Sequence, residues 1–287
     1  VAFWDSQGEY ETFLKSVRTD SDRLADFALV YYRGFGSSTS IDVNQWDRLL
    51  LAISKMCVNL YAITNLDERR TIKKNLGFRG AFIEPSVFED ASIMANAHSI
   101  LNQVMSQNGD PSLLELLLVA HDLEYILRPT LLRINWLIRR TDGEIIDYSR
   151  SQLNKKGEEG SLGYGIAQIN EKLDLRRKHR ILTKADKKEM RAFVQSFCPG
   201  KGFPLGAENL RNWIAHRDFF VTSSEVVMNF HPRPGKRFPL SKAQVSQTRF
   251  TTLGLAILCL TINAVFKIAS EANVGIVKPE LKVRKWP

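Results

Sequence analysis

Cysteine is scarce in this chain. Cys57, Cys198 and Cys259 are odd in number, far apart and without CxxC spacing, which argues against a disulfide framework and against a zinc site. A reducing, cytoplasmic compartment is the natural expectation. His98 has neither a cysteine nor a second histidine at ligand spacing, so no metal and no cofactor are expected. The glycines at 157, 160, 163 and 165 are followed by no GK[ST], and Gly200-Lys201-Gly202 lacks the full phosphate-loop spacing. A nucleotide-triphosphatase reading is excluded on that ground. No charged flank followed by an apolar core opens the sequence, so no signal peptide is expected, and no internal repeat is visible. Residues 250–266 carry no charge, but this run sits at the lower limit for a membrane span. Arg249, Lys267, Asn263 and three threonines make it a buried bundle helix instead, with no membrane partner.

What is present is an ordinary globular composition, 44% hydrophobic over 287 residues, enough for a substantial core in one large domain or two. The net charge of +9 is unevenly spread. Residues 1–150 hold 16 Lys+Arg against 20 Asp+Glu, and residues 151–287 hold 24 against 11. A basic carboxy-terminal half points to a polyanionic partner, nucleic acid ahead of membrane.

Apolar spacing predicts one or two helices over 10–32 with Trp4 packed back on them, and a long helix over 42–66. Arg69, Arg70, Lys73, Lys74 and Arg79 read as a solvated helix face as readily as a phosphate surface. Pro85 interrupts, and 87–105 resumes a helical pattern. Asp110-Pro111-Ser112 starts a helix that runs over 113–140 with a break near Pro129. His121, Glu124, Tyr125 and Arg128 share one side of it and read as a solvated face ahead of a cluster facing any site. Residues 141–165 look like a mobile loop. Two helices follow over 166–182 and 184–197, and they hold the densest basic run. Arg176, Arg177, Lys178, Arg180, Lys184, Lys187 and Lys188, with His179 and Arg191, form the candidate RNA-binding surface, a backbone-tracking and salt-dependent one.

The chemistry concentrates in residues 207–217. Pro204 and Gly206 break the chain, then a helix of about three turns places Ala207, Leu210, Trp213 and Ile214 on one side and Asn209, Asn212 and His216 on the other. Arg211 lies on the flank. An imidazole moves protons near neutral pH, and a guanidinium grips phosphate oxygens and steadies charge developing on them. Phosphodiester chemistry suits the pair. Two short strands over 219–221 and 225–230 follow around Thr222-Ser223-Ser224, then a loop over 231–237 containing His231. Ser241 and Gln244 form a capping box for a last helix reaching about residue 272, before a basic tail over 278–287 with Trp286.

Arg211-Asn212-x3-His216 resembles the Arg-polar-x3-His signature of the HEPN superfamily, and the hairpin and long helix that follow are similar to the order in many members. The resemblance covers roughly residues 111–272. The resemblance implies a mostly α-helical fold, an HEPN-like bundle over 111–287 with a small β-hairpin after the motif helix, behind a helical region over 1–110 for which, as an additional region, sensing or regulation is the natural expectation. It further implies a metal-independent endoribonuclease whose composite site faces itself across a homodimer, with an antitoxin-like or regulatory protein as a further partner. Arg211 would hold the scissile phosphate, Asn212 would orient His216 or the phosphate, and His216 would carry the proton. The alternative is an HEPN-like binding or assembly module that does not cleave.

Overall fold

The computed structural model describes residues 7–36, 46–75, 99, 103, 111–151, 153–154, 157, 160–174, 178–200, 203–229 and 237–274. It is mostly helical with a small antiparallel sheet. Among the described residues the amino-terminal part holds α1 (Gln7–Val17), α2 (Ser21–Gly36), α3 (Asp47–Ala62) and α4 (Leu66–Asn75). Then come α5 (Ser112–Asp122), a π-helical turn (Leu123–Leu127), α6 (Arg128–Thr141), the short α7 (Tyr148–Ser151), α8 (Leu162–Lys172), α9 (Lys184–Gln195) and α10 (Ala207–Ala215). Strands β1 (Phe219–Val221), β2 (Glu225–Asn229) and β3 (Arg237–Ser241) precede the last helix, α11 (Lys242–Val274).

Helix α11 organises the rest. It is long and apolar enough to cross a membrane by length and composition, yet 94% of its most apolar window is buried inside the protein, as a core helix requires. Its buried Leu258, Ile262, Val265 and Phe266 share one continuous core with Leu24, Tyr31, Leu49 and Ile53 from the amino-terminal helices and with Leu127, Leu131 and Leu137. Polar contacts inside the core fix how these elements seat. Tyr10 donates to Glu271 of α11, Arg140 of α6 pairs with Glu68 of α4, and Ser246 of α11 donates to the buried Glu115 of α5 at 2.8 Å. Burial pushes the Glu271 carboxyl up from its ordinary range, while Tyr10, Lys267 and Lys73 pull it back. The expected boundary near residue 110 lies outside the described residues.

The predicted break at Pro129 takes the form of the π turn. Proline has no N–H for the carbonyl four residues back, and the ladder steps over the gap by widening, with the Arg128 N–H bonding the Leu123 carbonyl. Thr130 adds its hydroxyl to the Ile126 carbonyl at 2.7 Å. The stretch expected to be a mobile loop holds α7 and the first turn of α8, where Ser161 caps the Tyr164 N–H. Helix α8 ends ten residues earlier than its apolar pattern suggests, at Lys172.

Glu144 ties two helices together, accepting from Arg139 at 2.7 Å and from Lys172 of α8 at 2.7 Å. Partial burial disfavours its carboxylate, but the two cations outweigh that and hold its pKa below the ordinary range. A depressed carboxyl pKa contributes stability that is present above the unfolded value and lost as the pH falls through the folded one. Glu144→Gln is therefore expected to cost about 0.5–1 kcal/mol at neutral pH, a solvent-screened figure. The difference should close as the medium is acidified below the ordinary carboxylate range of about 4.3, and urea titrations of both proteins at neutral and acid pH measure it.

The hairpin expected after residue 219 is present. Phe219 pairs with Met228 and Val221 with Val226, and Thr222 closes the turn by donating its N–H to the Glu225 carbonyl at 2.9 Å. A third strand was not foreseen. β3 pairs with β2 in the register Val227 to Pro239, and it holds a proline in the way only an edge strand allows. The Ser241–Gln244 capping box forms as expected, the Ser241 N–H donating to Gln244 at 2.9 Å and the Gln244 N–H to Ser241 at 3.2 Å.

Candidate functional site

Helix α10 is held at both ends. At its start the Ala207 N–H donates to the Phe197 carbonyl at 2.9 Å, fastening it to the segment after α9. Gly206 precedes it with φ +80°, packed 3.1 Å from Pro199 as a Cβ would measure it. Gly206→Ala is expected to destabilise the protein by about 1–2 kcal/mol, because an L side chain in that conformation is strained. Chemical denaturation measures the loss, and an unchanged midpoint would contradict the constraint.

The helix ends sooner than the expected Arg217. His216 is its C-cap, the Arg217 N–H donates to Ile214 at 3.1 Å and the Asp218 N–H to Trp213 at 2.8 Å. This is a Schellman closure, and it places Arg217 at φ 57°, the one non-glycine residue with positive φ among the described residues. The chain then reverses into β1, with the Asn229 N–H anchored on the Asp218 carbonyl at 2.7 Å. Ala207, Leu210, Trp213 and Ile214 are buried as the periodicity predicts. His216 is left exposed at the helix end.

Arg211 and Asn212 are brought together. The Arg211 Nη1 donates to Asn212 Oδ1 at 3.0 Å, which turns the guanidinium toward the residue one helical turn before His216. Its Nε donates to Glu124 at 2.7 Å, with the Arg211 side chain 32% exposed. The other oxygen of Glu124 meets Arg128 at 3.2 Å, and Arg128 also reaches the Gly160 carbonyl at 3.4 Å. Glu124 thus sits between two guanidinium groups. The face read as solvated is in this part turned onto the motif helix.

The other two groups of that face are His121, one turn before Glu124, and Tyr125, next to it in the chain. His121 Nδ1 is 3.3 Å from Asp122, whose side chain is 2% exposed. The hydrogen bond that the imidazole gives to Asp122 raises the His121 pKa above its ordinary value against the effect of partial burial. The rings of His121 and Tyr125 lie 5.0 Å apart at 41°. Sequence reasoning grouped these residues by helical spacing, and only the packing of α5 and the π turn on α10 joins the group to Arg211.

The candidate RNA-binding surface is altered. Arg176 and Arg177 lie outside the described residues, as do Trp4, Arg79, Pro85, the helix over 87–105 except residues 99 and 103, His98, Asp110, His231 and the basic tail. Lys178, Arg180, Lys184 and Lys188 are exposed. Lys187 must be removed from that surface, because it is buried and its ammonium donates to the Asp174 carbonyl at 3.1 Å. His179 is buried too, its Nδ1 accepting from the Ile181 and Leu182 N–H groups at 3.2 and 3.1 Å, which gives it a turn-forming role. Among the described residues no three His, Cys, Asp or Glu side chains gather as a metal-ligating group.

Fold and site together define a mostly helical protein with a small antiparallel sheet, in which α10 carries a hydrogen-bonded Arg211–Asn212 pair and an exposed His216 at its C-cap. No family model, curated protein or solved structure matches the chain.

Proposed function

We propose that the protein is a metal-independent endoribonuclease of the HEPN type, acting through Arg211, Asn212 and His216 in a composite site formed by two copies of the chain. The observation that carries this reading is the orientation of the Arg211 guanidinium, fixed by Glu124 and by Asn212, on the same helix that ends in the exposed His216. A pre-oriented guanidinium spends little freedom on gripping a phosphate. The 2′-oxygen of RNA bonds to phosphorus as the bond from phosphorus to the 5′-oxygen breaks. One proton leaves the 2′-hydroxyl and one is delivered to the 5′-oxygen, and the imidazoles of the paired His216 residues serve as base and acid. The products are a 2′,3′-cyclic phosphate and a 5′-hydroxyl. Because one chain supplies one such set, activity per chain is expected to fall on dilution below the dimer dissociation constant. Specific activity that stays constant while sedimentation shows a monomer would contradict the composite site.

A second reading, a non-cleaving binding or assembly module, has its own support. Glu124 already neutralises part of the Arg211 charge, and Leu113, Leu114 and Leu117 are exposed on α5, an apolar row suited to a protein partner. Normal RNA affinity with no cleavage by the parent protein would favour it.

A further inference from the structure

We propose that Tyr125 and His121 form a stacking platform that seats one base of a single strand of RNA beside the Arg211 cluster. This deepens the ribonuclease reading and rests on it for the identity of the polymer. Tyr125 is 70% exposed, more than the exposed Phe220 (41%) or Phe250 (54%). A ring left in water over most of its area is an available contact for a flat apolar partner.

The ring is also held in place. His121, one turn earlier, lies against it at 5.0 Å, and His121 is itself pinned by the buried Asp122. Two rings fixed in this way lose little conformational freedom when a base stacks on them. Tyr125 stands on the π turn and His121 in the last turn of α5 before it, and π turns are frequent at functional sites.

Their neighbours decide the class of occupant. Glu124 precedes Tyr125 in the chain and Arg128 follows it by three residues, and Glu124 holds the guanidinium groups of Arg128 and Arg211 together. Stacking rings next to guanidinium groups is the pairing that single-stranded nucleic acid requires, one for the base and the other for the backbone. A protein partner would instead use the leucines at the other end of α5.

The test uses the full chain and a short single-stranded 2′-O-methyl RNA, which lacks the attacking hydroxyl and stays intact. Its binding is compared with that of an abasic backbone of the same length by fluorescence anisotropy. Tyr125→Ala is expected to weaken binding of the base-containing strand about tenfold and to leave the abasic strand unchanged, while Tyr125→Phe retains parent affinity. His121→Ala should give a smaller loss of the same kind. Circular dichroism of each variant confirms its fold.

Equal losses on both strands, no loss on either, or no binding by the parent protein overturns the platform. So does unchanged RNA affinity accompanied by a shifted monomer–dimer equilibrium, which would assign Tyr125 to a protein interface. The two readings separate cleanly, because the platform is scored by binding. Base-dependent binding without cleavage of ordinary RNA would sink only the nuclease, and cleavage by a parent protein whose RNA binding is indifferent to Tyr125 would sink only the platform.

Discussion

His216→Ala is expected to lower RNA cleavage by about 10²- to 10⁴-fold, the range for losing a positioned proton-transfer group, with almost no effect on stability. The separation follows from where the residue sits. The imidazole is exposed at the C-cap of α10 and takes no hydrogen-bond partner among the described residues, while the turn after it is closed by backbone bonds of Arg217 and Asp218. Alanine keeps that backbone, so the stability change should stay within about 0.5 kcal/mol. Arg211→Ala should reduce cleavage by about 10²- to 10³-fold through loss of charge stabilisation at the phosphate. It too should leave the fold intact, since Glu124 retains Arg128 as a partner at 3.2 Å. Steady-state cleavage rates beside urea midpoints measure both effects. Loss of activity that tracks loss of stability would contradict the assigned roles.

The second large effect is structural. Trp136→Ala is expected to destabilise the protein by about 3–5 kcal/mol, the cost of emptying a large buried aromatic site. Trp136 is 1% exposed on α6, its ring edge meets Tyr148 at 5.4 Å and 89°, and its Nε1 donates to the Ile146 carbonyl at 3.2 Å. The side chain therefore fastens the 142–148 connection to the helix that continues the π turn. Removing it opens a cavity and strips a carbonyl of its donor at once. Since Glu124 lies on that π turn, cleavage should fall in proportion to unfolding, and a stabilising osmolyte should restore part of it. A loss below about 1 kcal/mol in urea titration would show that the site collapses around the smaller side chain.

These residues also mark what could be read in the chain itself. The motif helix, the hairpin, the capping box at Ser241 and the long α11 are local patterns, where residues within a few positions determine the outcome. The apolar spacing that predicts the 113–140 helix does not single out Trp136. The partnership of Arg211 with Glu124 spans 87 residues and depends on how α5 and the π turn pack on α10, which no local pattern encodes. Lys187 shows the same limit from the other side. It shares a basic run with exposed neighbours, but its position on α9 points it inward, where a backbone carbonyl accepts a hydrogen bond from its ammonium. Strand β3 was missed because Pro239 argues against a strand unless its edge position is known.

The central claim, that Arg211 and His216 cleave RNA, is tested most directly by one assay. Labelled single-stranded RNA is incubated in EDTA with the parent protein, Arg211→Ala and His216→Ala, each verified as folded and of the same oligomeric state, and the new ends are identified. The account predicts 2′,3′-cyclic phosphate and 5′-hydroxyl ends from the parent alone. No cleavage by the parent, or equal cleavage by all three proteins, would contradict it.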